Sequence, residues 1–157
     1  MSPWVVTLEA LEPFKISGPT QQPAVLPYLS FEGSKNYDIQ LEVSIQPKNC
    51  QETVVSQSNF KYMYWNMNQQ LAHHTVNGCN LNVGDLMASG TISGKRSDSY
   101  GSMLELSWAG SKPVELTEGG PRKFIEDNDT VIMRGHCQKG AIRVGFGAVK
   151  STLLKAK

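Results

Sequence analysis

Hydrophobic and polar residues alternate along residues 37–46, YDIQLEVSIQ. Every second position is apolar, at Tyr37, Ile39, Leu41, Val43 and Ile45. A period of two predicts a strand with one face on a core and the other in water. Residues 47–49, Pro-Lys-Asn, predict a turn, and residues 52–56 predict a returning strand, so the pair is expected to form a hairpin.

A proline-rich segment precedes this strand. Residues 12–36 contain four prolines, two glycines and several Ser, Thr and Gln residues. Because proline has no backbone N–H and disfavours helix, this composition predicts an extended, looping arm.

The strongest helical pattern covers residues 58–78. Its apolar stripe recurs at i, i+3, i+4 and i+7 and comprises Phe60, Met63, Tyr64, Met67, Leu71 and His74. Ser58 or Asn59 is the expected N-cap. The pair Asn77-Gly78 is the expected end, because these residue types adopt the left-handed conformation that terminates helices.

Beyond residue 78 the chain shows short apolar runs separated by turn residues. The predicted strands are Asp85–Ser93, Ser102–Ala109, Lys112–Leu116, Thr130–Gly135 and Ala141–Gly147. One helix with many strands predicts a β-rich α+β fold, and the length suits one domain over residues 1–157.

Charge and hydropathy argue against two classes of binding partner, nucleic acids and membranes. The chain carries 15 Lys and Arg residues against 14 Asp and Glu residues, and the basic residues are scattered. This pattern argues against a nucleic-acid partner, because phosphate binding needs a clustered basic surface. No apolar run of about 18 residues occurs, so no membrane partner is expected. The N-terminal residues lack a basic n-region, so no signal peptide is expected.

The three cysteines are Cys50, Cys79 and Cys137. They are odd in number and far apart, with no C-x-x-C pair. This spacing fits reduced thiols in a cytoplasmic protein better than a disulfide scaffold or a zinc site.

The histidines and the acidic turn do not predict a metal site. His73 and His74 point about 100° apart on a helix, so they cannot face one ion, and a capping role at the helix C-terminus is the simpler interpretation. His136 lies in an apolar strand, which favours a structural role. Asp127 and Asp129 flank a turn that Asx-turn chemistry explains.

Glu105 lies in an apolar run, Met103-Leu104-Glu105-Leu106. Two interpretations stay open: a carboxylate on the solvent face of a strand, or a buried and paired carboxylate. In the second case it would orient a histidine as part of a general-base dyad. Thr91, in the Gly90–Gly94 turn, is either a turn former or a donor to a ligand carboxylate.

Several segments closely resemble the fumarylacetoacetase family, in the family's order and over nearly the whole chain. They are SPWVV (2–6), LPYL (26–29), SNFKYMYW (58–65), QQLAHHTVNGCNL (69–81), GDLMASGTISG (84–94), YGSMLELSW (100–108), RKFIEDNDTVIMRGHCQ (122–138) and RVGFG (143–147).

The resemblance implies a carbon–carbon bond hydrolase of tyrosine and phenylalanine catabolism, which converts 4-fumarylacetoacetate and water to fumarate and acetoacetate. A bound Mg²⁺ or Ca²⁺ ion would stabilise developing charge, and a histidine held by a glutamate would activate water. The family's dyad glutamate falls on Glu105 and its substrate-contacting threonine on Thr91. A β-sandwich roll and a homodimer are also implied.

The chain also departs from the family pattern. The resemblance implies that the family's metal ligands, catalytic histidine and N-terminal small barrel domain all correspond to positions before Met1. The resemblance therefore predicts no metal ligand in this chain, which would be the C-terminal part of an incomplete catalytic domain. Such a chain is expected to fold poorly and to be inactive alone. The alternative is a non-catalytic module that retains the dimer surface.

Overall fold

A four-stranded antiparallel sheet dominates the computed structural model, which describes residues 2–156. Met1 and Lys157, the two ends of the predicted domain, lie outside the described residues. The strands are β3 (Gln40–Gln46), β4 (Thr53–Asn59), β5 (Thr130–Lys139) and β6 (Ile142–Thr152), in the spatial order β4-β3-β5-β6.

The predicted hairpin is present, but its first strand begins at Gln40, because Tyr37 pairs in a separate short strand (Asn36–Tyr37). The backbone N–H of Cys50 donates to the carbonyl of Pro47 at 3.0 Å and closes the turn. Asn49 has a φ of 61°, a left-handed conformation that asparagine tolerates. The register between β3 and β4 shifts between Val43 and Ser44, because Val55 is an extra residue that forms a bulge in β4.

The core lies where the sheet meets the N-terminal segment. Its buried members are Leu11, Phe14, Tyr37, Ile39 and Cys137. They come from a helix α1 (Leu8–Leu11), the 3₁₀ turn that follows it, and strands of both sheets. Because these residues are brought together from distant parts of the chain, their burial fixes the first residues against the sheet.

The predicted arm is largely irregular and contains short regular pieces. They are β1 (Lys15–Ile16), a 3₁₀ turn (Pro27–Leu29) and β2 (Asn36–Tyr37). Strands β1 and β2 pair antiparallel and form a second, two-stranded sheet.

A helix is present in the predicted region, and its predicted end is confirmed. Its predicted start is wrong. The helix α2 covers Met67–Thr75, and Gly78 follows with a φ of 89°. Ser58 and Asn59 belong to β4 instead, because pairing with β3 satisfies their backbone. The real N-cap is Asn66, whose side chain accepts from the backbone N–H of Gln69 in a reciprocal capping box.

Three of the five later strands were predicted wrongly. Asp85–Ser93 is not a strand, Ser102–Ala109 contains a short helix α3 (Met103–Leu106), and Lys112–Leu116 forms only an isolated bridge between Val114 and Arg122. The predictions at Thr130–Gly135 and Ala141–Gly147 are confirmed, and both strands extend further.

The fold is therefore a small β-rich α+β domain with two sheets, as predicted. The β-sandwich roll and the incompleteness of the domain stay predictions.

Candidate functional site

The two site residues suggested by the sequence lie in neighbouring segments. The segment of Thr91 and Ile92 runs beside Gly101, so closely that a Cβ added at Gly101 would lie 2.7 Å from both the Thr91 Cγ2 and the Ile92 carbonyl oxygen. Only glycine fits this approach without a shift of the backbone. The close contact brings the Thr91 segment next to the start of α3, which carries Glu105.

The Glu105 carboxylate is partly buried and accepts hydrogen bonds from two hydroxyl groups. The Ser93 Oγ lies 2.9 Å from Oε1 and 2.8 Å from Oε2, and the Ser102 Oγ lies 2.8 Å from Oε2. Both interpretations left open by the sequence assumed a strand, and α3 replaces that strand. The carboxylate is paired, but with serines rather than with a histidine.

The local sequence explains why a helix forms here. Ser102 is the N-cap of α3, and its Oγ accepts from the backbone N–H of Glu105 at 3.3 Å. Ser-x-x-Glu before an apolar run is the signature of such a start. This signal is present in the sequence, but the alternation of Leu104, Glu105 and Leu106 predicts a strand instead.

Thr91 is exposed, and its hydroxyl is free to face solvent or a ligand. Gly90 before it has a φ of 75°, a left-handed conformation that glycine adopts readily, but residues 90–94 do not form the turn predicted at this position. The structure thus brings Thr91 close to the segment of Glu105 through Gly101.

The histidines lie elsewhere. His73 and His74 occupy the last turn of α2, and the Nδ1 of His73 lies 2.9 Å from the Tyr28 hydroxyl. His136 lies on β5 opposite Gln40 of β3. Within residues 2–156 no histidine is among the hydrogen-bond partners of Glu105.

The donor set needed for a metal ion is not assembled among residues 2–156. No group of three or more His, Cys, Asp or Glu side chains converges in this part of the chain. The described residues therefore do not fit the divalent cation that the family resemblance implies.

Asp129 has a role that the turn interpretation missed. Its carboxylate forms a buried ion pair with the guanidinium of Arg122 at 2.9 and 3.1 Å, and it also accepts from the backbone N–H of Glu126. Burial opposes the charged carboxylate, but these hydrogen bonds outweigh it, so the pKa of Asp129 lies below its usual value. Asp127 beside it is exposed. Nothing in the sequence pattern singled out Arg122 as the partner.

A second ion pair crosses the polar face of the sheet. The Arg134 guanidinium donates to both carboxylate oxygens of Glu52 and lies 3.5 Å from Glu42. The hydrogen bonds from Arg134 lower the pKa of Glu52 to about 2.

All three cysteines are free, and Cys137 is fully buried. Burial raises the pKa of the Cys137 thiol and keeps it protonated. Among residues 2–156, no helix is long and apolar enough to cross a bilayer.

Comparison with known proteins places these features in context. Residues 1–153 match the family described as Fumarylacetoacetate (FAA) hydrolase C-terminal. The chain is 57% identical to the fumarylacetoacetase of Dictyostelium discoideum over 99% of its own length and 37% of that protein. It is 53% identical to the Bos taurus enzyme and 51% identical to the Homo sapiens enzyme, over 99% of this chain and 38% of each relative. The chain thus spans less than two fifths of the length of these relatives.

Proposed function

The chain belongs to the fumarylacetoacetate hydrolase C-terminal family, and we propose that it supplies part of the active site of a fumarylacetoacetase. The reaction would be hydrolysis of the carbon–carbon bond of 4-fumarylacetoacetate to fumarate and acetoacetate, within tyrosine and phenylalanine catabolism. The named relatives match almost the whole chain, as the sequence resemblance predicted. The activity would belong to the complete enzyme, which here means residues 1–157 together with the further polypeptide needed for activity.

The state of Glu105 is the observation that carries this proposal. A carboxylate fixed by hydroxyl donors and partly shielded from water is suited to accept the N–H of an imidazole. In the complete enzyme Glu105 would orient a histidine that activates water, and it would stabilise the imidazolium that forms when the histidine takes a proton. That histidine would come from outside the described residues.

Thr91 would bind the substrate. Its side chain is exposed and lies beside Gly101, just before the helix that carries Glu105, and a hydroxyl can donate to a carboxylate of the diketone. The closeness of Thr91 to Gly101 supports a site in which substrate and base lie side by side.

The cation, the assembly and the cellular location remain proposals. A Mg²⁺ or Ca²⁺ ion would supply charge stabilisation in the complete enzyme, held by residues other than those described here. A homodimer and a cytoplasmic location are proposed from the family resemblance.

Turnover of 4-fumarylacetoacetate tests the proposal. The complete enzyme is expected to release fumarate and acetoacetate in equal amounts with added Mg²⁺ or Ca²⁺. The 157-residue chain alone is expected to release neither product, because residues 2–156 supply neither a histidine at Glu105 nor a cation site. Turnover by the chain alone would contradict this assignment.

A non-catalytic module that retains the dimer surface is the alternative function. It would bind a complete fumarylacetoacetase without adding activity. To separate this alternative from the catalytic proposal, the chain is mixed with a complete enzyme, and co-purification and turnover are both measured. Only the alternative predicts a stable mixed complex in which Glu105 of this chain is dispensable.

A further inference from the structure

We propose that Ser93 and Ser102 are positioning residues that aim the Glu105 carboxylate at its histidine. The inference rests on the proposed function, and it assigns two residues that neither the sequence pattern nor the family resemblance singled out. It follows from how the hydrogen bonds are distributed over the two carboxylate oxygens.

The Oε2 oxygen is the more fully occupied of the two. It accepts the Ser102 proton at 2.8 Å, and it shares the single Ser93 proton with Oε1, at 2.8 Å from the Ser93 Oγ. The Oε1 oxygen accepts from Ser93 alone among the described residues, at 2.9 Å. One acceptor direction of Oε1 therefore stays open for an imidazole N–H.

The Ser93 hydroxyl is itself fixed. Its Oγ accepts from the backbone N–H of Gly101 at 3.0 Å, so its single proton is left to point at the carboxylate. Ser93 lies two residues after Thr91, and Gly101 packs against Thr91. The same short segment thus fixes the orientation of Glu105 and contacts the substrate side of the site.

The Ser102 hydroxyl fixes the backbone as well as the side chain. It caps α3 by accepting from the Glu105 N–H, and it donates to the Glu105 carboxylate. A substitution at Ser102 would therefore disturb the helix itself. Ser93 is outside the helix, which makes it the better residue to test.

Removing the Ser93 hydroxyl has a specific consequence for catalysis. The carboxylate would lose its only donor at Oε1 among the described residues and would rotate among several orientations. The negative charge of Glu105 would also be neutralised by fewer hydrogen-bond donors. The carboxylate would therefore stabilise a neighbouring imidazolium more strongly in the variant than in the unaltered protein. The acidic limb of the kcat profile should then move to higher pH.

The test uses the complete enzyme and measures kcat and KM for 4-fumarylacetoacetate across pH. We expect Ser93→Ala to lower kcat by about 10-fold, the effect of one hydrogen bond to a charged group, and to leave KM unchanged. The acidic limb should shift upward. Ser93→Thr keeps a hydroxyl and should restore both kcat and the position of the limb.

Ser111→Ala is the matched control. It removes a serine hydroxyl from the same part of the chain, but that hydroxyl donates only to the Trp108 carbonyl in a neighbouring turn. It should leave kcat and its pH profile unchanged. An equal loss in Ser111→Ala and Ser93→Ala would overturn the inference.

A double-mutant cycle separates this inference from the proposed function. If Ser93 acts through Glu105, then Ser93→Ala should have no further effect on kcat in a Glu105→Ala background. A full additional loss there, or a loss that Ser93→Thr does not restore, would overturn the positioning role. If Glu105→Ala alone left kcat unchanged, the proposed function itself would fail.

Discussion

Glu105 is the residue whose surroundings bear most directly on the chemistry. Two serine hydroxyls fix its carboxylate, and no histidine among the described residues hydrogen-bonds to it. Fixed carboxylates of this kind serve catalysis by restricting the orientation and the tautomer of an imidazole. The proposed role of Glu105 is therefore to orient a histidine that lies outside the described residues.

Thr91 should affect substrate binding rather than the chemical step. Thr91→Val in the complete enzyme removes the hydroxyl and keeps the shape, so KM should rise by about 10-fold or more, while kcat stays close to wild type. Steady-state kinetics check this expectation.

Ser89→Ala is the control for Thr91, because Ser89 lies in the same loop and its hydroxyl donates only to the adjacent Gly90 carbonyl. An unchanged KM in Thr91→Val would mean that Thr91 does not bind the substrate.

The acidic turn of residues 126–129 joins a loop to β5 through the buried pair of Arg122 and Asp129. Asp129→Asn should lower the free energy of unfolding by about 3–5 kcal/mol, because Arg122 would then be a buried charge without its counter-ion. Chemical denaturation of the complete enzyme measures the loss.

Asp127→Asn is the matched control in the same turn, since Asp127 is exposed. It should change stability little. Similar effects of the two substitutions would contradict the view that the turn depends on the ion pair.

The pair of Glu52 and Arg134 makes sheet stability depend on acid pH. The pKa of Glu52 is lowered from 4.5 to about 2 in the folded state, so its stabilising effect is present above pH 4.5 and is lost as the pH falls through about 2. Glu52→Gln should lower Tm at pH 6, and the difference from wild type should shrink by pH 3.

Glu32→Gln, at an exposed loop position, is the control for this series. A Tm difference for Glu52→Gln that stayed constant from pH 6 to pH 3 would show that the ion pair is not responsible.

Among the strands and helices, the elements that depend on apolar periodicity could be predicted from the sequence. The helix starts that depend on local hydrogen bonds could not. The hairpin of β3 and β4 follows from alternation, and the end of α2 follows from Asn77-Gly78. The start of α2 and the helix α3 depend on caps at Asn66 and Ser102, which compete with a misleading apolar pattern. The site residues Glu105 and Thr91 came from the family resemblance, since their environment is made by contacts between segments.

Several large apolar side chains among residues 2–156 are strongly exposed. Trp4, Val5, Leu86 and Leu154 are each at least 70% exposed. Apolar side chains that stay in water do not contribute the stabilisation that burial supplies. We therefore expect the 157-residue chain alone to unfold at low temperature and without strong cooperativity, as the sequence also suggested.

Differential scanning calorimetry and a fluorescent probe of apolar surface check that expectation. Addition of the remaining part of a complete enzyme in trans should raise the melting temperature and lower probe binding. A single cooperative transition at high temperature for the lone chain would contradict it.

The most direct test of the central claim is kcat of the Glu105→Gln variant in the complete enzyme. Glutamine keeps the size of the side chain but removes the charge that stabilises an imidazolium, so kcat should fall by roughly 10²–10⁴ while the protein stays folded. If Glu105→Gln turned over 4-fumarylacetoacetate at the wild-type rate, Glu105 would not be the carboxylate of a catalytic dyad.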